Sequence, residues 1–280
     1  MSMATLPISV VIIAKDAEST IGECLSAVQQ NNPAEIVVVD GISTDGTVEI
    51  AQRYSARTYS DEGKGKSYAR QLGAEVAGQE YMAYVDSDVV LAEGALATML
   101  AELQASDRIG IGAGEPPGVK SATYWEWAQR QQAQLSHPRN RPASIGMAAS
   151  LFRRETILKY GFELGYGGYL DDRDLEIRLR SAGHTFGLSS ATIYHRHKTD
   201  LRTFVGYRFL FGGLCVCYMH KYGPWHVGFW PPLFAAYWIA FCLMRGKWKL
   251  IPYHIVDGIV ETAGMARGFF ELITERLGRK

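Results

Sequence analysis

The chain has 280 residues, 47% of them hydrophobic, which allows one large domain, or a catalytic domain with an appendage, and a substantial core. Its 29 basic and 29 acidic residues cancel, which excludes a general nucleic-acid binder. The four cysteines, Cys24, Cys215, Cys217 and Cys242, have spacings that suit neither a disulfide framework nor a zinc site, and they read as free thiols.

The first hundred residues alternate short β-type runs with amphipathic helical segments. Ile8–Ile13 is almost wholly apolar, as a strand covered on both faces requires. Ser19 or Thr20 is placed to cap a helix whose inner face carries Ile21, Cys24, Leu25 and Val28. A second buried strand, Ile36–Val39, stops at Asp40-Gly41. Helices are predicted from Thr47 to Tyr54 and from Lys66 to Ala77, the latter with Leu72 and Val76 inward. The strand Tyr81–Val85 stops at Asp86, and a helix over Gly94–Leu103 turns Leu96, Met99, Leu100 and Leu103 inward.

Beyond residue 105 the pattern is less regular. It comprises a Gly/Pro-rich stretch at Gly110–Gly118, a helix from Ser121 to Gln134, a polar loop at Ser136–Pro142, and a helix from Asp174 to Ser181 ended by Gly183. Strands alternating with helices predict an α/β fold with a mainly parallel sheet and right-handed crossovers. Ligands in such folds bind outside the carboxyl ends of the strands. Asp40 and Asp86 both stand there, and a charge closing a buried strand must face the crevice or find a partner.

The division falls near residue 200, with a catalytic domain at 1–200 and a helical region at 201–280. The second region holds ten basic and four acidic residues, leaving 19 basic and 25 acidic in the first. It also has Trp225, Trp230, Trp238 and Trp248, and 222–244 has no Lys, Arg, Asp or Glu. Pro231-Pro232 interrupts that run, and Leu233–Met244 falls short of the roughly 20 residues a spanning helix needs. From 255 to 277, Ile255, Ile259, Ala263, Ala266, Phe270, Ile273 and Leu277 recur at helical spacing. Aromatic residues, basic residues and amphipathicity read as helices lying in a membrane interface. The alternative is a helical subdomain packed on the catalytic core. The N-terminus shows no signal-peptide pattern, so the cytoplasmic side of the membrane, peripherally or monotopically bound, is the expected location.

Three acidic clusters carry the chemistry: Asp40 with Asp45, Asp86 with Asp88, and Asp171 with Asp172. Two carboxylates two residues apart after a buried strand point the same way in an extended backbone and repel unless a cation intervenes. Hard oxygen ligands suit Mg²⁺ or Mn²⁺, whose shell substrate phosphates usually complete. Asp45 reads as a turn and cap residue, and Asp40 as an acceptor for a base or ribose.

The stretches ISVVIIAKD (8–16), VVVDGISTDGT (37–47), GKSYARQLG (65–73), YVDSD (84–88), GMAAS (146–150) and YLDDRDLEIR (169–178) together strongly resemble family 2 glycosyltransferases of the GT-A fold. The resemblance covers about residues 1–200. It implies an inverting, metal-dependent glycosyltransferase that moves a sugar from a nucleotide diphosphate donor to a hydroxyl acceptor, such as a lipid-linked glycan or polysaccharide precursor. By resemblance, Ala14 and Asp16 line the nucleotide pocket, Asp40 reads the base, and Lys66 and Arg70 lie near the donor. Asp86 touches the ribose or metal, and Asp88 holds the metal. Asp172 is the catalytic base, and Asp171, standing where the family usually has Glu, is its catalytic helper. His195 or His197 helps hold the metal or diphosphate. Lys15-Asp16-Ala17 replaces a common Tyr-Asn-Glu type run, so the aromatic that often covers the base is missing. A UDP-sugar is the favoured donor, with GDP and dTDP as alternatives.

An ionised lipid-phosphate acceptor would need no strong base and would be repelled by Asp171-Asp172, so a polyprenyl-phosphate transferase is the second reading. Trp125 and Trp127 are placed either to stack on a sugar or to fill the core. A sugar nucleotidyltransferase would open with a Gly-rich basic loop, which Ile13–Glu18 is not. A dehydrogenase reading of Gly110–Gly114 fails because Pro116-Pro117 follows where a helix should begin. A non-catalytic, membrane-bound nucleotide-sugar binder would have degraded acids, and all three clusters are intact.

Overall fold

The computed structural model describes residues 4–136, 146–164, 170–223 and 230–278, with side chains to Thr274. The predicted loop past Ser136, Tyr169 of the acidic motif, Trp225 and the side chain of Leu277 lie outside the described residues. The chain divides into two compact units. One comprises Met1–Val119 with Gln134–Arg196, the other Lys120–Ala133 with His197–Lys280.

The first unit begins β1 (Leu6–Ala14), α1 (Ile21–Gln30), β2 (Pro33–Asp40), α2 (Thr47–Arg53), β3 (Arg57–Ser60), α3 (Lys66–Val76), β4 (Tyr81–Asp86), β5 (Val89–Leu91), α4 (Ala95–Gln104) and β6 (Gly110–Gly114). After α5 (Tyr124–Ser136), most of which belongs to the second unit, come β7 (Ala149–Arg153), α6 (Arg154–Tyr160), α7 (Asp171–Ser181) and β8 (Phe186–His195). The sheet order is β3-β2-β1-β4-β7-β6-β8-β5. Pairing is parallel from β3 through β2 and β1 to β4, and between β6 and β8. It is antiparallel where β7 meets β4 and β6, and where β5 meets β8.

Helices cover both faces of this sheet, which is why its central strands read as unbroken apolar runs. Ile8, Val10 and Ile12 share one buried cluster with Leu25, Val28, Leu96 and Met99 of α1 and α4. Val11 points the other way, into a cluster with Ala69, Ile157 and Leu175 of α3, α6 and α7. Helix α3 lies so close to β1 that a Cβ at Gly73 would fall 2.3 Å from Val11 Cγ1.

Several expectations change. Thr20 stands at the start of α1 but does not cap it; its hydroxyl donates to the Ala17 carbonyl at 3.3 Å. The buried face of α3 is Ser67, Ala69, Arg70, Gly73 and Ala74, with Leu72 and Val76 only partly covered, because the close approach to β1 favours small residues. Helix α7 starts at Asp171 rather than Asp174. Ser87-Asp88 forms a turn between β4 and β5, so the acidic triplet is not extended throughout.

In the second unit α8 (Leu201–Tyr222), α9 (Pro231–Met244) and the long α10 (Ile251–Gly278) follow one another, with a 3-10 turn at Trp248–Leu250. Pro231-Pro232, which breaks the uncharged run, stands at the start of α9, where the first turn needs no N–H partners. Helices α8 and α10 meet backbone to backbone: a Cβ at Gly264 would lie 2.0 Å from the Phe209 carbonyl oxygen. Trp125 stacks on Phe204, with ring centroids 5.0 Å apart.

The side-chain distribution on α10 is inverted. Its buried face carries His254, Asp257, Glu261 and Met265, and Arg208 of α8 pairs there with both acids. Burial pushes the Glu261 carboxyl up, opposed by Arg208 and reinforced by Asp257. The apolar stripe predicted along 255–277 faces outward, with Ile259 65% and Phe270 69% exposed and Ile255 and Ile273 exposed beside them. Among the described residues no helix is long and apolar enough to cross a membrane.

Candidate active site

Three strands of the first unit end side by side. Register pairs Ala14 of β1 with Asp40 of β2, and Ile13 with Asp86 of β4. The carboxylates therefore project from neighbouring strand ends, where α/β folds place ligands.

Asp40 is 8% exposed. Its Oδ2 accepts from the Ser43 amide at 3.0 Å, while its Oδ1 is buried with no hydrogen-bond partner. Such a buried acceptor costs free energy unless a ligand donates to it. Ala14 is buried beside it, and its carbonyl accepts from Gly41 N at 2.8 Å. Asp16, with a left-handed backbone (φ 47°), accepts from both the amide and hydroxyl of Thr44, at 2.8 and 3.2 Å. It thereby braces the loop that follows β2. Asp45 accepts from Glu18 N and Thr47 N, which is the turn role expected of it.

At the end of β4, burial pushes the Asp86 carboxyl up; Arg70 opposes this, the neighbouring Asp88 charge reinforces it, and Lys66 acts in Arg70's direction. Lys66 is exposed at the first residue of α3. His195, closing β8 opposite Val89, places Nε2 3.2 Å from Asp88 Oδ1. Burial disfavours its imidazolium, yet the hydrogen bond and charge of Asp88 carry its pKa above the usual value. His197 lies in the second unit.

Arg70 is the hinge of the arrangement. Its guanidinium meets Asp171 Oδ1 at 2.5 Å and Asp86 Oδ1 at 3.6 Å, and the Tyr84 hydroxyl donates to the Arg70 carbonyl at 2.9 Å. Asp171 is fully buried, and the same Oδ1 accepts from the Asp172 amide at 3.0 Å. Asp172 is more open. Burial, then the Asp171 charge, push its carboxyl up to about 6, against the pull of Arg70. Leu170, just before this pair, holds φ 65°, a conformation uncommon for a branched side chain and costing about 1–2 kcal/mol.

Some supporting residues escaped the sequence reading. Asp61, buried after β3, accepts from Gly63 N and Gly65 N and shapes the loop leading into α3. Its Asp-x-Gly-x-Gly spacing was the available signal. Glu115 accepts from His195 N at 2.9 Å, and no local pattern marks it. Cys24 lies under the triplet, with Sγ 3.5 Å from the Asp86 carbonyl. Burial raises its thiol pKa well above the usual range, so it is inert.

The donor set of Asp86, Asp88 and His195 suits Mn²⁺ or Mg²⁺ in its chemistry. Among the described residues no three such groups are already gathered as a cage.

The sequence model of glycosyl transferase family 2 matches residues 9–161. The 4,4'-diaponeurosporenoate glycosyltransferase of Staphylococcus aureus is 30% identical over 125 residues, which is 42% of this chain and 33% of that protein. Its counterpart in Staphylococcus haemolyticus is 37% identical over 95 residues, 31% of this chain and 25% of that one. The chain thus spans about a third or less of the length of these curated relatives. The structure of Mycobacterium tuberculosis glucosyl-3-phosphoglycerate synthase with Mn²⁺, UDP-glucose and phosphoglyceric acid superposes with a TM-score of 0.56 at 19% identity, covering 75% of this chain and 78% of that one. The same fold is thus shared with a glycosyltransferase structure. Because the family match takes in more than half of the residues, the chain belongs to glycosyl transferase family 2.

Proposed function

We propose that the chain transfers a sugar, with inversion, from a nucleotide diphosphate donor to a hydroxyl acceptor. The observation that carries this reading is the Arg70 bridge, which sets the β4 strand-end acid and the α7 acidic pair within one side chain of each other. Donor and base chemistry then belong to one site. The unpartnered Asp40 Oδ1 is the acceptor for a base or ribose donor group, with Ala14 and Asp16 forming the wall beside it.

Asp88, with Asp86 and His195, would hold Mn²⁺ or Mg²⁺, and the bound ion supplies positive charge against the departing diphosphate. Lys66 adds charge at the start of α3. Asp172 takes the acceptor hydroxyl proton as the oxygen attacks the anomeric carbon. A carboxyl held at about 6 is a stronger base than an ordinary aspartate yet is ionised at neutral pH. Asp171 serves it indirectly, by fixing the first turn of α7 to Arg70.

The relatives' names favour a lipid-like acceptor, and a UDP-sugar is the favoured donor from the neighbouring structure. A membrane surface as the meeting place, reached from the cytoplasmic side, belongs to the same reading. Hydrolysis of UDP-, GDP- and dTDP-sugars screened with Mn²⁺ or Mg²⁺ tests it. Metal-stimulated turnover of one donor is the expected result; turnover of none, with the protein folded, would remove it.

A further inference from the structure

The second unit is built inside out for water. Its ion cluster is buried between α8 and α10, its helices touch through glycine, and the apolar stripe of α10 faces outward. In water that stripe should turn inward, because exposed apolar area is unfavourable at roughly 25 cal/mol per Å². Close glycine contacts and interhelical polar pairs are the packing devices of helices surrounded by lipid. Among the described residues no helix is long and apolar enough to cross a membrane, so a lipid contact made by these helices would be a lateral one.

The turn joining α9 to α10 adds charge to this face. Leu243–Lys249 is exposed throughout, with Met244 79% and Trp248 61% accessible. Arg245, Lys247 and Lys249 alternate with these apolar side chains, and 231–256 contains no acidic residue. The nearest acids in sequence, Asp257 and Glu261, are turned to the buried side against Arg208. Large apolar groups interleaved with cations fit a surface that is anionic at its boundary and hydrocarbon beneath. An acidic protein would satisfy the cations but leave Met244, Trp248 and the α10 stripe without a common apolar counterpart.

We propose that the α9–α10 turn inserts among anionic lipid headgroups, with the outward stripe of α10 lying along the same bilayer surface. This specifies the membrane contact within the functional reading above. It fails or stands independently of catalysis, since donor hydrolysis in solution needs no vesicle.

Flotation of the full chain with phosphatidylcholine vesicles, with or without 30% phosphatidylglycerol, tests it. Binding is expected on the anionic vesicles only, weakened about fivefold for each cation removed at low salt. Lys247→Glu with Lys249→Glu should abolish it, and Met244→Ser with Trp248→Ser should weaken it to a similar degree. These side chains are exposed, so an unchanged unfolding midpoint verifies that each variant is folded. Equal binding to neutral vesicles, or binding indifferent to both double variants, overturns the proposal. So does a vesicle-free dimer that the Met244/Trp248 variant converts to monomer, because the face would then be covered by a second copy.

Discussion

Arg70 and Asp171 form an ion pair with both side chains almost wholly buried, 2.5 Å apart, joining the middle of α3 to the first turn of α7. Of the two adjacent acids at that turn, the first is committed to this pair and the second is left to the crevice. Removing one member of a buried pair leaves the other charge uncompensated. Arg70→Met is therefore expected to cost about 3–5 kcal/mol, read as a lowered urea midpoint with an unchanged slope.

Asp172→Asn keeps the size of the side chain and removes the proposed base. Transfer should fall by roughly 10² to 10⁴ in kcat, while calorimetric donor affinity stays within a factor of a few. Normal turnover by this variant would end the base assignment.

Asp88→Asn should act at the other end of the reaction, abolishing Mn²⁺-dependent donor binding as well as transfer. It should also lower the pKa of His195, whose upward shift depends on the Asp88 carboxylate. Titration of the imidazole by NMR checks this without reference to activity.

The pH dependence follows from the raised Asp172 carboxyl. The proposed base must be ionised to act, so kcat/KM should fall on the acid side with a midpoint near 6. The stability effect has the opposite sense. A carboxyl whose folded pKa lies above its unfolded value favours the folded state at low pH, and that contribution is lost as pH rises through about 6. Asp172→Asn should consequently stabilise the protein at pH 8, by about 1–3 kcal/mol, and have little effect at pH 4.

Gly264→Leu tests the packing of the second unit. Any side chain there meets the Phe209 carbonyl oxygen, so α8 and α10 must separate. A loss of at least 1–3 kcal/mol is expected, measured by thermal unfolding.

The strands legible in the sequence were those whose own residues carry the β signal. Ile8–Ile13, Ile36–Val39 and Tyr81–Val85 are dense in branched and aromatic side chains and are buried on both faces. By contrast, β6 is Gly-Ile-Gly-Ala-Gly and exists because β7 and β8 pair with it. Strands β3 and β5 are four and three residues long, too short for a period to register. Strand propensity is largely tertiary packing, so these were hidden by principle rather than by noise. Asp40, Asp86, Asp88, Asp171 and Asp172 were visible as acids at element ends. That Asp16 braces a loop, and that Arg70 meets an acid 101 positions away, required the fold. On α10 the period was read correctly, but a period does not say which side faces in.

The second unit is not a contiguous tail. Residues 120–133 belong to it while the chain on either side belongs to the first unit, so each unit is threaded through the other in sequence. Cutting near residue 200 would strand Trp125, whose ring rests on Phe204, and Tyr124, whose hydroxyl donates to the Lys249 carbonyl at 2.9 Å. Residues 1–200 are therefore not a severable module. A truncated enzyme would display an aromatic scar, and insolubility or inactivity in such a fragment would report that scar rather than the loss of a docking surface.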